Sequence, residues 1–397
     1  MTLLSSTDRL PFDLETADAW WLSPERLFDG STLRNGIALR IEAGRIAAVR
    51  PGSEAGVDGA PVWRSTCIAV PGFFDVQING GGGVLFNTTP TVEGLERIGA
   101  AHRATGTTAF LPTLITDAAD LMDRAADAAI AAFGRFGVAG IHLEGPHISV
   151  ERKGAHDPAF IRPIDERTFA VIERLRRAGL PVLLTLAPEC VPQGAIARLC
   201  AMGAVVSLGH TAADAATVRS AIAEGASAVT HLFNGMTPMT SRAPGVVGAA
   251  LDSDLYCGFI ADGHHIDDTV LRLAIRSRSR PDRMVLVSDA MPTWNGPDQF
   301  ELYGETIRAV DGKLVNRLGS LAGVHIDMAS SVRRLVEHVG LPLDQALASA
   351  TAVPAALMGL SQEIGRLVEG ARADIVLLGS DLAPRVVLAG AALRNNL

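Results

Sequence analysis

Eight short apolar runs, each separated from the next by a longer amphipathic segment, constrain the fold of this chain most. The runs are predicted strands at 73–78, 108–114, 138–143, 182–187, 204–208, 228–232, 255–260 and 284–287. Helical periodicity marks intervening segments at 117–133, 165–178, 212–224 and 268–277, with Asp117 and Asp165 as predicted N-caps. Because parallel strands buried on both faces are apolar throughout, these repeats predict an α/β fold with a closed (β/α)8 barrel. An open doubly wound sheet is the alternative, although it rarely has eight such units with polar residues at so many strand ends.

Both ends of the chain have β patterns instead. Strand–turn–strand alternation occurs at 37–49, and short β runs occur at 373–378 and 385–388. Neither end is long enough to build its own core, so we expect the two to form one small β-sandwich domain. The predicted segments are 1–69 and 361–397 for this small domain and 70–360 for the barrel. Within the barrel we predict an insertion at 292–320 with a hairpin turn at 310–313, and closing helices at 327–339 and 343–357.

Composition excludes several classes of protein. The 397 residues are 48% hydrophobic and 20% charged, which is typical of a globular chain with a large core. The net charge of −8 disfavours nucleic-acid and anionic-membrane partners, because both require a cationic surface. Cys67, Cys190, Cys200 and Cys257 have no metal-binding or redox spacing, so we expect free thiols in a reducing compartment. The first 21 residues lack a signal-peptide pattern, and no apolar run approaches the roughly 20 residues of a membrane helix. We therefore expect a cytoplasmic protein.

Residues capable of metal chemistry follow four of the predicted strands. Glu144 ends the third strand, His210 follows the fifth, His231 the sixth and Asp289 the eighth. Any one of them alone is more often a structural hydrogen-bond partner, but the C-terminal strand ends of a barrel converge on its active site. One carboxylate and two imidazoles suit Zn²⁺ or a similar divalent ion with an open position for water. The sequence thus predicts a metal-assisted hydrolase with Asp289 as general base and acid.

Nine short motifs follow one another from residue 71 to residue 376. They are PGFFDVQING at 71–80, HLEGP at 142–146, KGAH at 153–156, GHT at 209–211, HLFNGM at 231–236, ADGHH at 261–265, SDAM at 288–291, SLAG at 320–323 and ARADIV at 371–376. In this combination the chain resembles the N-acetylglucosamine-6-phosphate deacetylases of the amidohydrolase superfamily. The resemblance implies hydrolysis of N-acetyl-D-glucosamine 6-phosphate to D-glucosamine 6-phosphate and acetate in amino-sugar catabolism.

The resemblance also implies roles for individual residues. Glu144, His210 and His231 would hold a metal ion, with Asp289 as general base and acid. The implied substrate contacts are His156 near the acetamido group, Asn234 and Gly235 at the sugar, Arg242 and His265 at the 6-phosphate, and Leu321, Ala322 and Gly323 along the sugar pocket. In this family the residues that bind the 6-phosphate can reach the site of a neighbouring subunit, which implies a homodimer.

The first barrel strand separates one-metal from two-metal chemistry. Superfamily members with two metals usually have His-x-His there and a modified lysine on the fourth strand. This chain has Gln77 and Asn79, which are weak ligands or substrate-side residues, and its two lysines, Lys153 and Lys313, lie on no barrel strand. We therefore predict one divalent metal ion per subunit. Zn²⁺ best suits the ligands, while Fe, Mn or Co would also fit.

Three departures from the family pattern surround the expected sugar pocket. They are His147 after the third strand, Ser241 beside Arg242, and Val324 with His325 after the SLAG motif. His147 and His325 are either substrate contacts or structural residues. These departures keep the galactosamine epimer open as an alternative substrate. A non-catalytic sugar-phosphate sensor is disfavoured because all four metal and acid–base positions are present. A cyclic amidase is disfavoured by the missing His-x-His and strand-4 lysine.

Overall fold

The computed structural model describes residues 18–389. Residues 1–17 and 390–397 belong to the predicted segments 1–69 and 361–397, and they lie outside the described residues, as does most of the stretch searched for a signal peptide. By its internal contacts the chain divides into two units. One contains the chain up to Phe74, Arg103–Ala109 and the chain from Met328 onward, and the other contains Asp75–His102 and Phe110–Asp327.

Strands and helices are numbered in chain order through the described residues. The strands are β1 Ala19–Phe28, β2 Leu33–Asn35, β3 Ile37–Glu42, β4 Arg45–Pro51, β5 Val62–Pro71, β6 Phe73–Ile78, β7 Gly80–Gly81, β8 Val84–Leu85, β9 Thr107–Ile115, β10 Ile141–Glu144, β11 Val182–Leu186, β12 Val205–Leu208, β13 Ala228–Val229, β14 Tyr256–Phe259, β15 Met284–Leu286, β16 Gln299–Leu302, β17 Glu305–Val310, β18 Lys313–Val315, β19 Leu321–Val324, β20 Ile375–Leu378 and β21 Pro384–Leu388. The α-helices are α1 Val92–Arg103, α2 Ala119–Ala132, α3 Glu166–Arg177, α4 Ala195–Ala201, α5 Ala215–Ala223, α6 Gly245–Leu251, α7 Asp268–Ser277, α8 Met328–Arg334, α9 Leu343–Ser349 and α10 Ala352–Leu357. Single 3-10 turns lie at Gly52–Glu54, Val150–Arg152, Pro158–Phe160, Pro188–Cys190 and Pro281–Arg283, and a π-helical turn at Leu335–Val339 follows α8.

Eight strands form the barrel, in the order β6, β9, β10, β11, β12, β13, β14 and β15. Neighbours from β9 to β15 pair in parallel. A parallel bridge between Ile78 and Ala290 joins the two ends of the sheet. Every residue of β6 and of β11 is buried, as strands covered on both faces require. The predicted (β/α)8 barrel is confirmed, and the open sheet is excluded.

The small domain is built from both chain ends, as predicted, and its strands form one seven-stranded sheet where a β-sandwich was expected. Its order is β21, β20, β5, β1, β3, β4, with β2 paired to β1. The two chain ends meet where β20 runs antiparallel to β5, with Ile375 opposite Pro71. Apolar side chains from both ends, including Trp20, Leu39 and Leu377, share one core. Strands β1 and β5 were not predicted. The period-2 pattern of β1 is interrupted around Pro24, where its register against β5 shifts.

Of the two predicted helix N-caps, the structure forms the one at Asp165 and not the one at Asp117. Asp165 caps α3, accepting a hydrogen bond from the backbone N–H of Thr168. Asp117 does not cap α2, whose N-cap residue is Ala118 and which has no side-chain cap. The carboxylate of Asp117 instead accepts hydrogen bonds from the Ala118 backbone N–H and from Asn87 Nδ2. The N-cap prediction for Asp117 is therefore wrong, because a partner distant in sequence engages the side chain.

The segment predicted as one helix at 343–357 forms two helices, α9 and α10. The break falls at Thr351, whose φ of −136° and ψ of −82° are not helical. Pro354 lies in the first turn of α10, a position that tolerates the missing backbone N–H. In one continuous helix its ring would clash with the carbonyl of residue 350, so the chain starts a new helix instead.

The insertion after β15 is a four-stranded antiparallel sheet in the order β16, β17, β18, β19. Val310 pairs with Lys313 across the predicted hairpin turn, which is thereby confirmed. Its buried side chains Leu302, Ile307 and Leu314 pack into a cluster that also contains Met291 and Ile115. This packing fixes β16 and β19 beside the carboxyl end of the barrel. Among the described helices, none is both long enough and apolar enough to span a membrane.

Candidate active site

Three buried side chains meet at the carboxyl end of the barrel. They are Glu144 at the end of β10, His210 two residues after β12, and His231 two residues after β13. His231 Nε2 lies 2.9 Å from Glu144 Oε1 and 3.1 Å from His210 Nε2, and His210 Nε2 lies 3.3 Å from the same carboxylate oxygen. One ligand atom from each residue lies within 4.8 Å of the others, an arrangement that can hold a metal ion.

The backbone turns sharply where these side chains leave their strands. His210, His231 and Asp289 have φ angles of 47°, 29° and 51°, in a region that residues other than glycine rarely adopt. Close packing surrounds the turns. A Cβ on Gly235 would lie 2.9 Å from His210 Nδ1, and one on Gly209 would lie 2.7 Å from Thr185 Cγ2. Gly235 of the HLFNGM motif therefore gives His210 the space that it occupies, and Gly209 of the GHT motif allows the backbone before His210 to pass close to Thr185.

The donor set fits a divalent cation. His210 Nδ1 donates to the backbone oxygen of Arg152 at 2.8 Å, so in the neutral ring the lone pair available to a metal ion is on Nε2. This lone pair faces His231 Nε2 and the carboxylate of Glu144 in a site that is almost closed to solvent. Lone pairs that face each other at these distances repel. A proton shared by two of the atoms removes one such repulsion, whereas a divalent ion bound among the three residues would remove all of them. Imidazole nitrogen and carboxylate oxygen are ligands that Zn²⁺ prefers.

The electrostatics keep Glu144 ionised. Burial by itself raises the pKa of Glu144, but the hydrogen bonds and charges of His210 and His231 outweigh burial and hold the pKa well below its usual value. For His231, burial lowers the pKa, while the hydrogen bond to Glu144 raises it by more. The cluster thus contains an anionic oxygen in contact with two imidazoles.

Asp289 follows β15 and lies beside this cluster, held by two amides. Its Oδ1 accepts hydrogen bonds from Asn79 Nδ2 at 2.6 Å and from Gln77 Nε2 at 3.1 Å. Burial, reinforced by the charge of Glu144, raises the pKa of Asp289 to about 6. Both amides engage Oδ1, and neither engages Oδ2. A carboxyl group that titrates near neutral pH suits a residue that takes up and returns a proton.

Gln77 and Asn79 direct their amide N–H groups at carboxylates. Gln77 Nε2 also donates to Glu144 Oε1 at 3.2 Å, and therefore links Glu144 to Asp289. An amide nitrogen in this role has no lone pair to offer a metal ion. Asn79 Oδ1 is buried without a hydrogen-bond partner among the described residues, and Asn79 lies on the cavity wall.

A cavity of about 210 Å³ opens over the cluster. The sequence-predicted residues that line it are Asn79, Glu144, His156, His210, His231, Asn234, Gly235, His265, Asp289, Leu321 and Gly323. Three predicted residues do not line it: Gln77 is buried behind Asp289, Ala322 lines an adjoining cavity, and Arg242 is exposed on the loop before α6. Six further wall residues were not predicted as site residues from the sequence: Ile115, Gly154, Ala155, Ile260, Met291 and Leu302. Met291 ends the quoted SDAM motif, whereas no pattern in the sequence distinguishes Leu302.

His156 and His265 are oriented by their second ring nitrogens. His156 Nδ1 accepts a hydrogen bond from the Thr116 backbone N–H at 3.3 Å, which leaves the proton on Nε2. Burial lowers the pKa of His156 to about 3, so the ring is a neutral donor. His265 Nδ1 lies 2.7 Å from Asp262 Oδ2. Burial raises the pKa of Asp262, but the hydrogen bond and the charge of His265 lower this pKa to about 2. The partner of His265 Nδ1 is therefore an ionised carboxylate.

The two histidines that depart from the family pattern have local partners. His147 is fully buried, with Nδ1 at 3.0 Å from the Arg162 carbonyl oxygen and Nε2 at 3.0 Å from Thr168 Oγ1. Both ring nitrogens of His147 are therefore engaged inside the protein, which favours a structural role for His147 over a substrate contact. His325 Nδ1 lies 2.9 Å from Thr293 Oγ1, and its ring packs edge-on against Trp294. Neither histidine lines the cavity over the cluster of Glu144, His210 and His231.

A profile of the Amidohydrolase family matches residues 68–392, and the chain belongs to this family. Its similarity extends to particular deacetylases. It is 45% identical to an N-acetylgalactosamine-6-phosphate deacetylase of Shewanella sp. over 79% of each chain. It is 37% identical to an N-acetylglucosamine-6-phosphate deacetylase of Bos taurus over 80% of this chain and 81% of the other. The crystal structure of N-acetylglucosamine-6-phosphate deacetylase from Pasteurella multocida superposes with a TM-score of 0.88 at 32% identity, covering 94% of this chain and 98% of that one.

Proposed function

We propose that this protein hydrolyses the acetamido group of N-acetyl-D-glucosamine 6-phosphate, yielding D-glucosamine 6-phosphate and acetate in amino-sugar catabolism. One observation carries the proposal: the Glu144, His210 and His231 cluster and the proton-exchanging carboxyl of Asp289 face the same cavity. The relatives named above act on phosphorylated amino sugars and hydrolyse an amide bond. The catalytic unit is the barrel segment 70–360, and the segments 1–69 and 361–397 form the small domain.

The chemistry divides between a metal ion and the protein. A divalent ion held by Glu144, His210 and His231 supplies polarisation of the amide carbonyl and activation of water. Asp289 Oδ2 accepts a proton from the attacking water and delivers it to the departing amine nitrogen. His156 donates its Nε2 proton as a hydrogen bond to the carbonyl oxygen, where negative charge develops.

The rest of the cavity positions the sugar phosphate. Asn234 and Gly235, in the loop after β13, bind the sugar, and Leu321–Gly323 form the opposite wall. His265 binds the 6-phosphate, helped by Arg242, whose planar guanidinium suits phosphate oxygens. Because Arg242 is exposed and does not line the cavity of its own chain, we propose a homodimer in which it reaches the partner's site.

We propose one metal ion per subunit. Zn²⁺ is the ion that best suits one carboxylate and two imidazoles, and Fe, Mn or Co can occupy the same donors. Gln77 and Asn79 support a single ion, because their N–H groups engage the carboxylates that a second ion would need. A cytoplasmic location agrees with four cysteines that are all free thiols.

The galactosamine epimer is a second candidate substrate, and a specific observation favours it. Identity to the N-acetylgalactosamine-6-phosphate deacetylase is 45%, against 37% to the Bos taurus glucosamine enzyme. The two sugars differ only in the configuration of one hydroxyl group. Discrimination between them rests on the cavity wall and leaves the metal chemistry unchanged.

Acetate release from both epimers by metal-reconstituted protein tests the proposal. We expect release from the 6-phosphorylated glucosamine substrate and much slower release from the same sugar without phosphate. A higher kcat/KM for the galactosamine substrate would replace the first candidate with the second. Absence of acetate release from both 6-phosphates would overturn the proposed function.

A further inference from the structure

A chain of five buried polar side chains crosses the interior of the barrel below the metal cluster. We call it the polar layer, and its members are Thr113, His142, Thr185, Thr230 and Ser207. His142 Nδ1 lies 3.2 Å from Thr113 Oγ1, and His142 Nε2 lies 2.7 Å from Thr185 Oγ1. Thr185 Oγ1 lies 2.7 Å from Thr230 Oγ1, which lies 2.6 Å from Ser207 Oγ. The polar layer thus links five adjacent barrel strands through side chains alone.

The hydrogen bonds of the polar layer can all run in one direction. Thr113 Oγ1 donates to the Leu111 carbonyl oxygen at 3.4 Å, so it can accept the proton of His142 Nδ1. His142 Nε2 then accepts from Thr185, Thr185 accepts from Thr230, and Thr230 accepts from Ser207. In this direction every donor of the chain has an acceptor, and the last acceptor is a fixed backbone carbonyl. A buried chain satisfied in this way is rigid, because rotating one member leaves its neighbour unpaired.

Each of the three strands that carry a metal ligand contacts the polar layer. His142 precedes Glu144 by two residues on β10, so the two side chains point to the same face of the sheet. Thr230 directly precedes His231. Gly209, directly before His210, packs so closely that a Cβ would lie 2.7 Å from Thr185 Cγ2 and 2.9 Å from Thr230 Cβ.

We propose that the polar layer positions Glu144, His210 and His231 for the metal ion, so that His142, Thr185 and Thr113 are positioning residues. The proposal rests on the metal site of the proposed function. If one hydroxyl of the layer is lost, a buried nitrogen or oxygen loses its partner and the adjoining side chains reorient. The strand ends that carry the ligands then gain freedom, and the ion binds less tightly.

Thr185→Val tests the proposal, because it removes the central hydroxyl and preserves side-chain volume. The measurements are the Zn²⁺ dissociation constant of the full-length protein, by competition with a chelating dye, and thermal unfolding of the metal-free protein. We expect about tenfold weaker Zn²⁺ binding, the lower end of the loss found for partners that support metal ligands. Thr185→Ser retains the hydroxyl and is expected to bind Zn²⁺ like the wild type.

Two further variants separate positioning from stability. Leu184→Val shortens a fully buried neighbour on β11 that is outside the polar layer, so it should lower the unfolding temperature and leave Zn²⁺ affinity unchanged. Thr113→Val changes β9, which carries no metal ligand, and removes the hydroxyl group that contacts His142 Nδ1, so we expect its loss of Zn²⁺ affinity to act through His142. If Thr185→Val fails to fold, Thr113→Val provides the test of the proposal in its place.

Three outcomes overturn the proposal. Wild-type Zn²⁺ affinity in the folded Thr185→Val and Thr113→Val variants is the first. The second is an equal loss of affinity in Leu184→Val, which would mark a general effect of stability. Each of these leaves the proposed function standing if the wild type releases acetate. The third is a wild type that binds no Zn²⁺, which removes the metal site together with the polar layer's role. A wild type that binds Zn²⁺ without releasing acetate overturns the proposed function alone.

Discussion

Asn79 donates a hydrogen bond of 2.6 Å to Asp289 Oδ1, joining the first and the last strands of the barrel at the active site. The two residues are far apart in sequence, and closure of the barrel between Ile78 and Ala290 makes them neighbours. The contact engages Oδ1 of Asp289 and leaves Oδ2, the oxygen that we propose exchanges the proton, outside this hydrogen bond. It also gives Asn79 a part in setting the protonation of Asp289.

Replacing Asp289 by Asn should remove the proton acceptor and retain the shape of the side chain. We expect kcat to fall by about 10²- to 10⁴-fold, the usual contribution of general acid–base catalysis. Metal content, measured by elemental analysis, should match that of the wild type because Asp289 is not a member of the ligand cluster. Near-normal turnover in this variant would remove Asp289 from the mechanism.

Asn79→Leu should shift the pH dependence of the reaction. The Asn79 hydrogen bond lowers the pKa of Asp289, against the larger effects of burial and Glu144 that raise it to about 6. Without that bond the pKa rises further, and the ionised base forms only at higher pH. The acid limb of the kcat/KM profile should therefore move to higher pH.

Asn87→Leu is the matched control for this shift, since Asn87 is a buried amide that binds Asp117 and the backbone of Ile115. It should lower stability and leave the acid limb in place. An unmoved limb in Asn79→Leu would show that the contact does not tune Asp289.

Removing the metal ion should abolish acetate release and lower thermal stability. A ligand present at 100 times its dissociation constant stabilises the folded state by about 2.7 kcal/mol. Dialysis against a chelator followed by Zn²⁺ titration should restore activity at close to one ion per chain. A requirement for two stoichiometric ions would contradict the single-metal site.

Arg242→Ala should weaken recognition of the phosphate. A hydrogen bond to a charged group contributes about 1.5–3 kcal/mol, so kcat/KM for the 6-phosphate substrate should fall about tenfold or more. The unphosphorylated sugar should be hydrolysed as slowly as by the wild type. Arg317→Ala, an exposed arginine on the insertion, provides the control. Equal effects on both substrates would argue against a phosphate contact.

The buried carboxyl group of Asp75 should make the stability of the barrel depend on pH. Burial raises the pKa of Asp75 to about 7, against hydrogen bonds from the backbone of Ser288 and Gln77 that lower it. The folded state therefore binds this proton more tightly than the unfolded state. Stability from this group is complete below about pH 4, where the unfolded carboxyl is also protonated, and is lost as pH rises toward 7.

Asp75→Asn keeps an acceptor for the same backbone groups and cannot ionise. Its unfolding temperature at pH 8 should exceed that of the wild type by about 1–2 °C for each kcal/mol gained. At pH 5 the difference should be small. An equal difference at both pH values would show that ionisation of Asp75 does not destabilise the folded protein.

Much of the fold could be predicted because its signals are local. The apolar run of β11 and the helical period of α3 depend on residues close together in sequence, and both elements appear within a residue or two of the prediction. The errors have nonlocal causes. Asn87, 30 residues away, engages Asp117. Strand β1 pairs with β5, which in turn pairs with β20 from the other end of the chain.

The sequence by itself determined the barrel, the small domain built from both chain ends, and Glu144, His210, His231 and Asp289 as strand-end residues. Residue type and periodicity are properties of short segments, and the carboxyl ends of parallel strands necessarily share one face of the barrel. Only the tertiary structure decided which atoms meet. It directed the amides of Gln77 and Asn79 at carboxylates, engaged both nitrogens of His147 inside the protein, and left Arg242 exposed. These outcomes depend on how the closed barrel brings side chains from distant parts of the chain into contact, which no short segment of sequence specifies.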